Sequence, residues 1–234
     1  MIAVTFDFGQ TICEIDLEML AQRLREKDER LSIAGAASAE AAAWRAYNDA
    51  KADGLSHELG WCTFMTTLLV GGGVSRDRAG ELARWLWGEQ PLKNLWRRPI
   101  AGMAELVRDL HALGVPLGMI SNSEGKLREL SEEIDIARYF RFLADSGVLG
   151  FEKPDARIFR LTAERLGVRL EDVIHVGDAW AADVVGAIDA GARAIWFSAE
   201  ERPLPDRVRR ASGAPELRLA LAAWGVAGIL EHRG

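Results

Sequence analysis

Two kinds of hydrophobic pattern divide this chain of 234 residues. Between about residues 15 and 97 the apolar residues recur three to four positions apart, which is the spacing of an amphipathic helix. The clearest such segments are 17–24, 61–69 and 79–86. An alanine-rich stretch at 36–52 favours a further helix. We therefore predict a four-helix unit here, with strand patterns resuming only after Pro99.

After Pro99, short apolar runs alternate with helical patterns. The predicted strands are 115–120, 140–144, 173–176 and 192–197, and the predicted helices are 103–113, 155–166 and 181–190. The run at 192–197 is predicted to be the last strand, and 217–230 is predicted to be a packed helix or a loose strand–helix piece. An earlier apolar run, Ile2–Phe6, stands at the head of the chain.

This alternation predicts the fold class and the domain limits. Repeated strand–helix units form mostly parallel sheets that are covered by helices on both faces. We therefore predict an α/β fold, with a Rossmann-like parallel sheet built from residues 1–14 and 98–234. An all-helical domain is inserted at residues 15–97.

The bulk composition narrows the classes of partner. Apolar residues make up 49% of the chain and charged residues 27%, as is usual in globular proteins. The net charge of -6 argues against non-specific binding to nucleic acid or to an anionic membrane. The basic clusters at 97–98 and 207–210 are short and are interpreted as solvated faces. The longest apolar-rich stretch, 217–230, contains Arg218 and falls short of the roughly 20 residues that a membrane span needs.

The cysteines and the first apolar stretch indicate in which cellular compartment the protein is expected. Cys13 and Cys62 show no metal-ligand spacing, and Asp7 interrupts the first apolar stretch too early for a signal peptide. We therefore expect a cytoplasmic protein with reduced thiols. It would act as a monomer or a homodimer.

Polar residues follow directly on three of the apolar runs, namely at Asp7, Ser121 and Asp178. Lys153 lies in a loop before a predicted helix. In open parallel sheets, ligands bind beyond the carboxyl ends of the strands. The sequence therefore predicts one site that collects these four residues, although they are spread over most of the chain.

The residues of this edge suit a phosphoryl group. Asp7, Asp178 and Asp183 would concentrate negative charge, and carboxylates with water are ligands that suit Mg²⁺. Lys153 adds a positive charge, and Ser121–Asn122 adds neutral donors. Such groups can neutralise the phosphoryl oxygens while a carboxylate attacks in line, giving an aspartyl-phosphate that water then hydrolyses. The pattern indicates Mg²⁺-dependent hydrolysis of a small phosphate ester.

Four short segments, in this order, resemble the haloacid dehalogenase (HAD) superfamily. They are Asp7-Phe8-Gly9-Gln10-Thr11, Ser121-Asn122, Lys153-Pro154, and Gly177-Asp178 with Asp183. Within the superfamily, the chain looks like the hydrolases whose helical cap is inserted after the first segment (C1-type, subfamily I). The resemblance implies a HAD core at 1–14 and 98–234 and a cap at 15–97 that selects the leaving group. It also implies a small phosphorylated substrate.

The resemblance assigns the nucleophile and the metal ligands. Asp7 would be the catalytic nucleophile. Mg²⁺ would be held by Asp7, Asp178 and the backbone carbonyl of Gly9. Asp183 would complete the acidic pair, directly or through water.

The resemblance also assigns the phosphoryl group to a set of donors. The residues implied to bind it are Thr11, Ser121, Asn122 and Lys153. Lys153 would act in catalysis as well, because it would restrain the nucleophile. Thr11 is expected to support its loop by hydrogen bonding.

Gly9 departs from the pattern, because phosphatases of the superfamily commonly carry a second Asp at this position. That Asp protonates the leaving alkoxide and later activates water, and losing such a group typically costs about 10²–10⁴-fold in rate. Three interpretations stay open. The substrate could have a good leaving group, such as an anomeric or acyl phosphate. Glu14 or Asp16 could replace the missing group, or the chemistry could differ from phosphate hydrolysis.

Two other enzymatic activities and one binding role are alternatives to phosphatase activity. Dehalogenases also lack the second Asp, but they do not need the acidic pair that Asp178 and Asp183 keep here. Phosphonate hydrolysis would need a cap lysine, and Lys51 and Lys93 are the candidates, although nothing in the sequence marks either as buried. A weakened protein could instead bind a phosphorylated ligand or partner and turn it over slowly.

The aromatic residues and one histidine receive structural interpretations. Five of the eight tryptophans lie between residues 15 and 97 and are interpreted as the core of that unit. Trp180, two residues after Asp178, is the candidate to face the substrate. His175 lies inside an apolar strand and is interpreted as a hydrogen-bonded core histidine.

Overall fold

Six strands form the sheet around which the first of two units is built. The structure is a computed structural model that describes residues 1–231. The first unit comprises Met1–Glu14 and the described chain from Arg98, and the second comprises Ile15–Arg97.

The sheet of the first unit is parallel throughout. Its strands are β1 (Ala3–Phe6), β4 (Leu117–Ser121), β5 (Phe142–Asp145), β6 (Val173–Gly177), β7 (Arg193–Phe197) and β8 (Val208–Ala211). They lie in the order β5-β4-β1-β6-β7-β8, and each neighbouring pair is parallel. Every residue of β1, β4 and β6 is buried, which explains why these strands read as continuous apolar runs. The predicted α/β class is confirmed.

Helices lie between most successive strands of this sheet, and one follows β8. Their bounds are α5 (Met103–Ala112), α6 (Leu127–Glu133), α7 (Ser146–Leu149), α8 (Ala156–Leu166), α9 (Gly186–Ala190) and α10 (Ala214–Ala223). α8 packs against β4 and β5, and its buried Ile158 and Phe159 belong to the same core cluster as side chains of α9 and β7. The buried face of α8 therefore helps to fix the strands whose ends carry the polar residues.

Four helices make up most of the second unit. Their bounds are α1 (Leu17–Arg25), α2 (Ile33–Ala52), α3 (His57–Gly71) and α4 (Arg76–Glu89). Ser32 and Ser56 cap α2 and α3, because each hydroxyl accepts a hydrogen bond from a backbone N–H three residues further on. α2 and α3 pack closely, since a Cβ added at Gly71 would overlap Ala39.

The tryptophans of this unit pack against one another. Trp61 and Trp96 are buried. The ring centroid of Trp61 lies 5.5 Å from that of Trp87 and 6.1 Å from that of Trp96. Trp85 is half-buried beneath the guanidinium of Arg23, 4.7 Å from its ring centroid. The interpretation of these residues as core is confirmed for Trp61 and Trp96.

A short two-stranded sheet forms where the chain leaves and re-enters the first unit. It pairs β2 (Cys13–Ile15) with β3 (Trp96–Pro99). The prediction that strands resume only after Pro99 is therefore wrong. β3 reads Trp-Arg-Arg-Pro, and its last two residues are exposed, so it lacks the apolar run that marks a buried strand.

The end of the chain requires two further corrections. The stretch 192–197 is not the last strand, because β8 follows at the edge of the sheet. Its Arg209 and Arg210 are compatible with that place, since an edge strand has a neighbour on one side only. Residues 181–190 are not one α-helix but a π-helical turn, Trp180–Val185, followed by α9.

The remaining apolar stretch of the chain, 217–230, contains the second half of α10 and the turns after it. Among residues 1–231, none of the helices has the length and apolar character that crossing a membrane requires.

Candidate active site

The strand order brings the predicted polar residues to one edge. β1 lies between β4 and β6, and Phe6 is level with Met119 on one side and Val176 on the other. Asp7 therefore leaves β1 at the same height at which the neighbouring strands end. Its backbone N–H donates to the Val176 carbonyl over 2.8 Å. Ser121 is the buried last residue of β4, and Asp178 follows β6 directly.

Lys153 reaches the same place from the loop before α8. The residue is 2% exposed, and its Nζ donates to Asp7 Oδ1 over 2.6 Å and to Asp183 Oδ1 over 2.5 Å. An ammonium buried in this way is stable only when it is paired. One lysine thus joins the predicted nucleophile to one of the predicted metal-site carboxylates.

Asn122 positions this lysine. Its Oδ1 accepts from the Lys153 backbone N–H over 2.8 Å, and its Nδ2 donates to the Lys153 carbonyl over 3.0 Å. The Lys153-Pro154 peptide bond is cis. Both polar atoms of the Asn122 amide are therefore engaged with the lysine backbone, and direct contact of Asn122 with a phosphoryl group stays a prediction.

Three carboxylates lie together at this edge. Asp7, Asp178 and Asp183 each offer one oxygen, and these oxygens all lie within 4.8 Å of one another. Asp183 lies in the π-helical turn that follows β6. Its Oδ2 accepts a hydrogen bond from the backbone N–H of Ala179, two residues after the end of β6, over 2.9 Å. Glycine is required at Gly177, because an added Cβ would overlap the Asp183 carboxyl group.

The carboxylates carry more negative charge than the lysine offsets. Burial raises the pKa of Asp7 to about 6, in spite of the opposing effect of Lys153. Burial, together with Asp183 and Asp7, raises the pKa of Asp178 well above its ordinary value. Although burial acts against ionisation at Asp183 as well, Lys153 and His175 hold its pKa down at about 2. Such a site fits a divalent cation, which would let all three carboxyl groups ionise.

In the loop after Asp7, one buried hydroxyl lacks a hydrogen-bond partner within residues 1–231. Thr11 is buried, and its Oγ1 has no hydrogen-bond partner among the described residues, so the expected support of the loop by this hydroxyl is not observed. Gln10 has a φ of 53°, a left-handed backbone that non-glycine residues rarely adopt. Gly9 is half-buried and offers no side chain.

The two proposed substitutes for the missing Asp have other partners. Glu14 Oε1 accepts from Arg98 Nε over 2.6 Å. Asp16 caps α1, because its Oδ1 accepts from the Met19 N–H over 2.9 Å. The structure therefore gives both carboxylates structural tasks.

The two lysines considered for phosphonate chemistry differ in burial. Lys51 is buried, which nothing in the sequence had marked, and its Nζ donates to the Leu55 carbonyl over 2.9 Å just beyond the end of α2. Lys93 is half exposed and lies 3.4 Å from Glu26. The contact with Leu55 ties Lys51 to the loop between α2 and α3.

Asp145 is a functional candidate that the sequence interpretation missed. It ends β5, and its carboxylate accepts from the N–H groups of Gly125 and Leu127 over 3.1 and 2.9 Å. It thereby braces the loop that follows Ser121–Asn122. The signal was present, since Asp145 follows an apolar run as Asp7 does.

Trp196 is a second missed residue. It lies on β7, and its Nε1 donates to the Asp178 carbonyl over 2.8 Å. Trp180 packs edge-on against Trp196 at 5.0 Å between centroids, and the guanidinium of Arg202 lies 3.8 Å from the Trp180 ring. Contact of Trp180 with substrate stays a prediction. Sequence order gave no signal for Trp196, because 18 positions separate it from Asp178.

Comparisons with known proteins agree on one class. A family model described as a haloacid dehalogenase-like hydrolase matches residues 2–191. The phosphoserine phosphatase of Thermus thermophilus is 35% identical over 132 residues, which cover 56% of this chain and 51% of that protein. The aligned segments span about half, or less, of the length of the first curated relatives that the chain matches.

Solved structures show the same fold. The magnesium-bound putative HAD-hydrolase YfnB of Bacillus subtilis aligns with a TM-score of 0.65 at 21% identity, over 94% of this chain and 98% of that one. The 2-haloacid dehalogenase of Pseudomonas syringae aligns with a TM-score of 0.58 at 22% identity, over 96% and 100%. At such identities the likeness shows the fold, and it does not separate phosphate from halide chemistry.

Proposed function

The chain belongs to the haloacid dehalogenase-like hydrolases, and from this premise we propose that it is a Mg²⁺-dependent phosphatase of small phosphorylated metabolites. The main support for the proposal is that Asp7, Asp178 and Asp183 lie close together, with the buried Lys153 hydrogen-bonded to Asp7 and Asp183. Phosphatases among the curated relatives support the phosphoryl class. The acidic trio speaks against a metal-independent dehalogenase, because such an enzyme has no use for it.

The metal would be held by Asp7, Asp178 and the backbone carbonyl of Gly9, with Asp183 bound directly or through water. The clustering of the three carboxylates supports this assignment, since their oxygens lie within 4.8 Å of one another. Burial, with a smaller effect of the neighbouring carboxylates, raises the pKa of Asp7 and of Asp178, and a bound cation would favour their ionised forms. When bound, Mg²⁺ supplies positive charge that offsets the negative charge of the phosphoryl oxygens.

Asp7 is the proposed nucleophile. One of its carboxylate oxygens attacks phosphorus, and the bond between phosphorus and the leaving oxygen breaks with its electron pair on that oxygen. Water then attacks the aspartyl-phosphate, which releases inorganic phosphate and restores the carboxylate. Lys153 holds Asp7 in place and, with Ser121, offers donors to the phosphoryl oxygens. Thr11 and Asn122 complete the set of residues expected to support the phosphate.

The leaving oxygen needs a proton, and Gly9 cannot supply it. Glu14 and Asp16 are engaged with Arg98 and with the first turn of α1, which disfavours them as replacements. We therefore propose substrates whose leaving group departs with little acid assistance, such as anomeric or acyl phosphates. Turnover should fall steeply as the pKa of the leaving group rises.

A phosphometabolite panel tests the proposal. Release of inorganic phosphate is measured with and without Mg²⁺ from acetyl phosphate, an aryl phosphate, a sugar 1-phosphate and an alkyl phosphate. We expect metal-dependent turnover in roughly that order, and its loss in Asp7→Asn. Asp206→Asn is the matched control, because Asp206 is exposed on a loop of the same unit.

Two other outcomes would replace the proposal. Halide release from 2-haloacids that survives a chelator would make the protein a dehalogenase. Binding of beryllium fluoride without turnover of any panel member would make it a phospho-ligand-binding protein, which is the second candidate that the absence of a side chain at Gly9 favours.

A further inference from the structure

A buried line of hydrogen bonds leads from the middle of the sheet to the carboxylate cluster. Thr5 Oγ1 lies 2.9 Å from His175 Nδ1, and His175 Nε2 lies 3.1 Å from Asp183 Oδ1. Thr5 and His175 have no solvent exposure, and Asp183 is 1% exposed. Thr5 on β1 and His175 on β6 are direct partners in the parallel register, so the sheet itself sets this contact.

The two contacts of the imidazole fix its tautomer. A neutral imidazole has one donor nitrogen and one acceptor nitrogen. The Asp183 carboxylate can only accept, so favourable contact requires that His175 Nε2 carry the hydrogen. Nδ1 is then an acceptor, and the Thr5 hydroxyl can donate to it. The opposite tautomer would place a lone pair of Nε2 against a carboxylate oxygen.

This arrangement decides which oxygen of Asp183 remains available. Oδ1 accepts from His175 Nε2 and from Lys153 Nζ, which occupies both of its lone pairs. Oδ2 accepts from the Ala179 N–H and keeps one lone pair. A carboxylate that could rotate freely would offer either oxygen. With His175 and Lys153 on Oδ1, only Oδ2 can serve a cation or its water.

We propose that Thr5 and His175 are positioning residues that present Asp183 Oδ2 to the cation site. The inference rests on the proposed function, since the cation belongs to it. Phe159 packs edge-on against the His175 ring at 5.2 Å between centroids and helps to hold the ring plane. Groups that orient metal ligands typically affect metal affinity or activity by about 10–100-fold when they are lost.

The first experiment reads the tautomer without metal or substrate. Long-range ¹H–¹⁵N spectra of the histidine-labelled protein assign the protonated nitrogen of His175, with His175→Gln identifying the signal. We expect Nε2–H in the wild type and in Thr5→Ser, which keeps the hydroxyl. Thr5→Val has nearly the same shape but no donor. We expect its tautomer to stay Nε2–H, because Asp183 still selects it, and the Nδ1 chemical shift to report the lost hydrogen bond. An Nδ1–H tautomer in the wild type overturns the inference, and His175→Gln is needed only to identify the signal.

The second experiment measures Mg²⁺ binding by titration calorimetry in the absence of substrate. We expect the affinity to fall about 10–100-fold in Thr5→Val and His175→Leu. It should be largely restored in Thr5→Ser and in His175→Gln, because the Gln amide can donate from a position similar to Nε2. A variant that loses only packing would not respond to this conservative rescue.

The outcomes separate the two proposals. If the wild type binds Mg²⁺ and all four variants bind it equally well, the positioning role is wrong while the phosphatase proposal stands. If the wild type binds no Mg²⁺, the proposed function fails, and the role of Thr5 and His175 at a cation site fails with it.

Discussion

The two sides of Asp7, the proposed nucleophile, differ in how their side chains are hydrogen-bonded. On the side of Asp183, three donors hold one carboxylate: Lys153 Nζ, His175 Nε2 and the Ala179 N–H. On the other side, in the loop Phe8–Thr11, the Thr11 hydroxyl has no partner among the described residues and Gln10 has a left-handed backbone. Gly9 adds no side chain between them.

The difference shows which part of the proposed phosphoryl-transfer site has fully hydrogen-bonded side chains. Fixed charges that hold a cation and a phosphoryl group need buried, fully bonded partners, because an unpaired buried charge is costly. Proton transfer to the leaving group needs a further acid at the right place. The first requirement is met around Asp183, and the second depends on the substrate. Four experiments can break or sharpen this comparison.

The largest effect is expected from removing the charge of Lys153. Lys153→Met leaves Asp7 and Asp183 buried without their cation, and breaking a buried pair in this way costs about 3–5 kcal/mol in the free energy of unfolding. Part of this loss should return in Mg²⁺, because a bound cation replaces some of the missing charge. Urea denaturation with chelator and with Mg²⁺ measures both quantities.

Lys126→Met is the matched control. Lys126 is half exposed in the same unit and pairs with Glu129 over 3.1 Å, so its loss should change stability by no more than about 0.5 kcal/mol. Equal losses in the two variants would mean that the bonding around Asp183 does not stabilise the fold as argued.

The second experiment supplies the missing acid. In Gly9→Asp we expect turnover of alkyl phosphates to rise by about 10²–10⁴-fold, which is the usual contribution of a general acid/base. Substrates with acidic leaving groups should gain much less. Steady-state kinetics on an alkyl and an aryl phosphate measure the two gains.

Gly9→Asn provides a side chain of the same size that cannot act as an acid, and it should give no gain. If Asn and Asp behave alike, the loop after Asp7 is limited by something other than proton transfer. The missing acid at Gly9 would then not explain how the two sides of the site differ.

The same contrast marks what could be predicted from the sequence. Asp7, Ser121 and Asp178 were placed correctly because each follows an apolar run, and parallel strands end at one edge. The order of the strands was not needed for this inference. Asp145 obeys the same rule, since it directly follows the predicted strand 140–144, but the sequence interpretation did not apply the rule to it.

Other features depend on contacts across the fold. The π-helical turn that carries Asp183 is tied to the bond from the Ala179 N–H, and helical periodicity alone does not distinguish it from an α-helix. The burial of His175 could be read from its strand. Its contacts with Thr5 and Asp183 could not, because they depend on strand register and on that turn.

The third experiment follows stability against pH. Asp7 has a folded-state pKa of about 6 against an ordinary value of 3.8, so between these values the folded state binds more protons than the unfolded state. Stability of the metal-free protein should therefore fall as pH rises from about 4 to 6, by an amount on the order of 1–3 kcal/mol. Asp183 acts in the opposite sense, and its contribution is lost only as pH falls towards 2.

Mg²⁺ should remove this decline, because a bound cation favours the ionised carboxylates. Urea midpoints at pH 4.5 to 7, with chelator or with Mg²⁺, provide the measurement. Asp7→Asn is the control and should show a weaker pH dependence without metal. Stability of the metal-free wild type that rises over this range would contradict the charge excess proposed for the cluster.

The smallest effect concerns the less complete side of the site. Gln10→Gly should raise the free energy of unfolding by about 0.5–1 kcal/mol, because relief of a left-handed backbone, worth about 1–2 kcal/mol, exceeds the extra chain entropy of glycine. Gln22→Gly is the matched control. Gln22 is exposed within α1, where the same substitution should destabilise by about 1 kcal/mol. Opposite signs in urea denaturation would locate strain in the loop after Asp7, whereas a loss of stability in both would show that the Gln10 side chain stabilises that loop by more than its backbone costs.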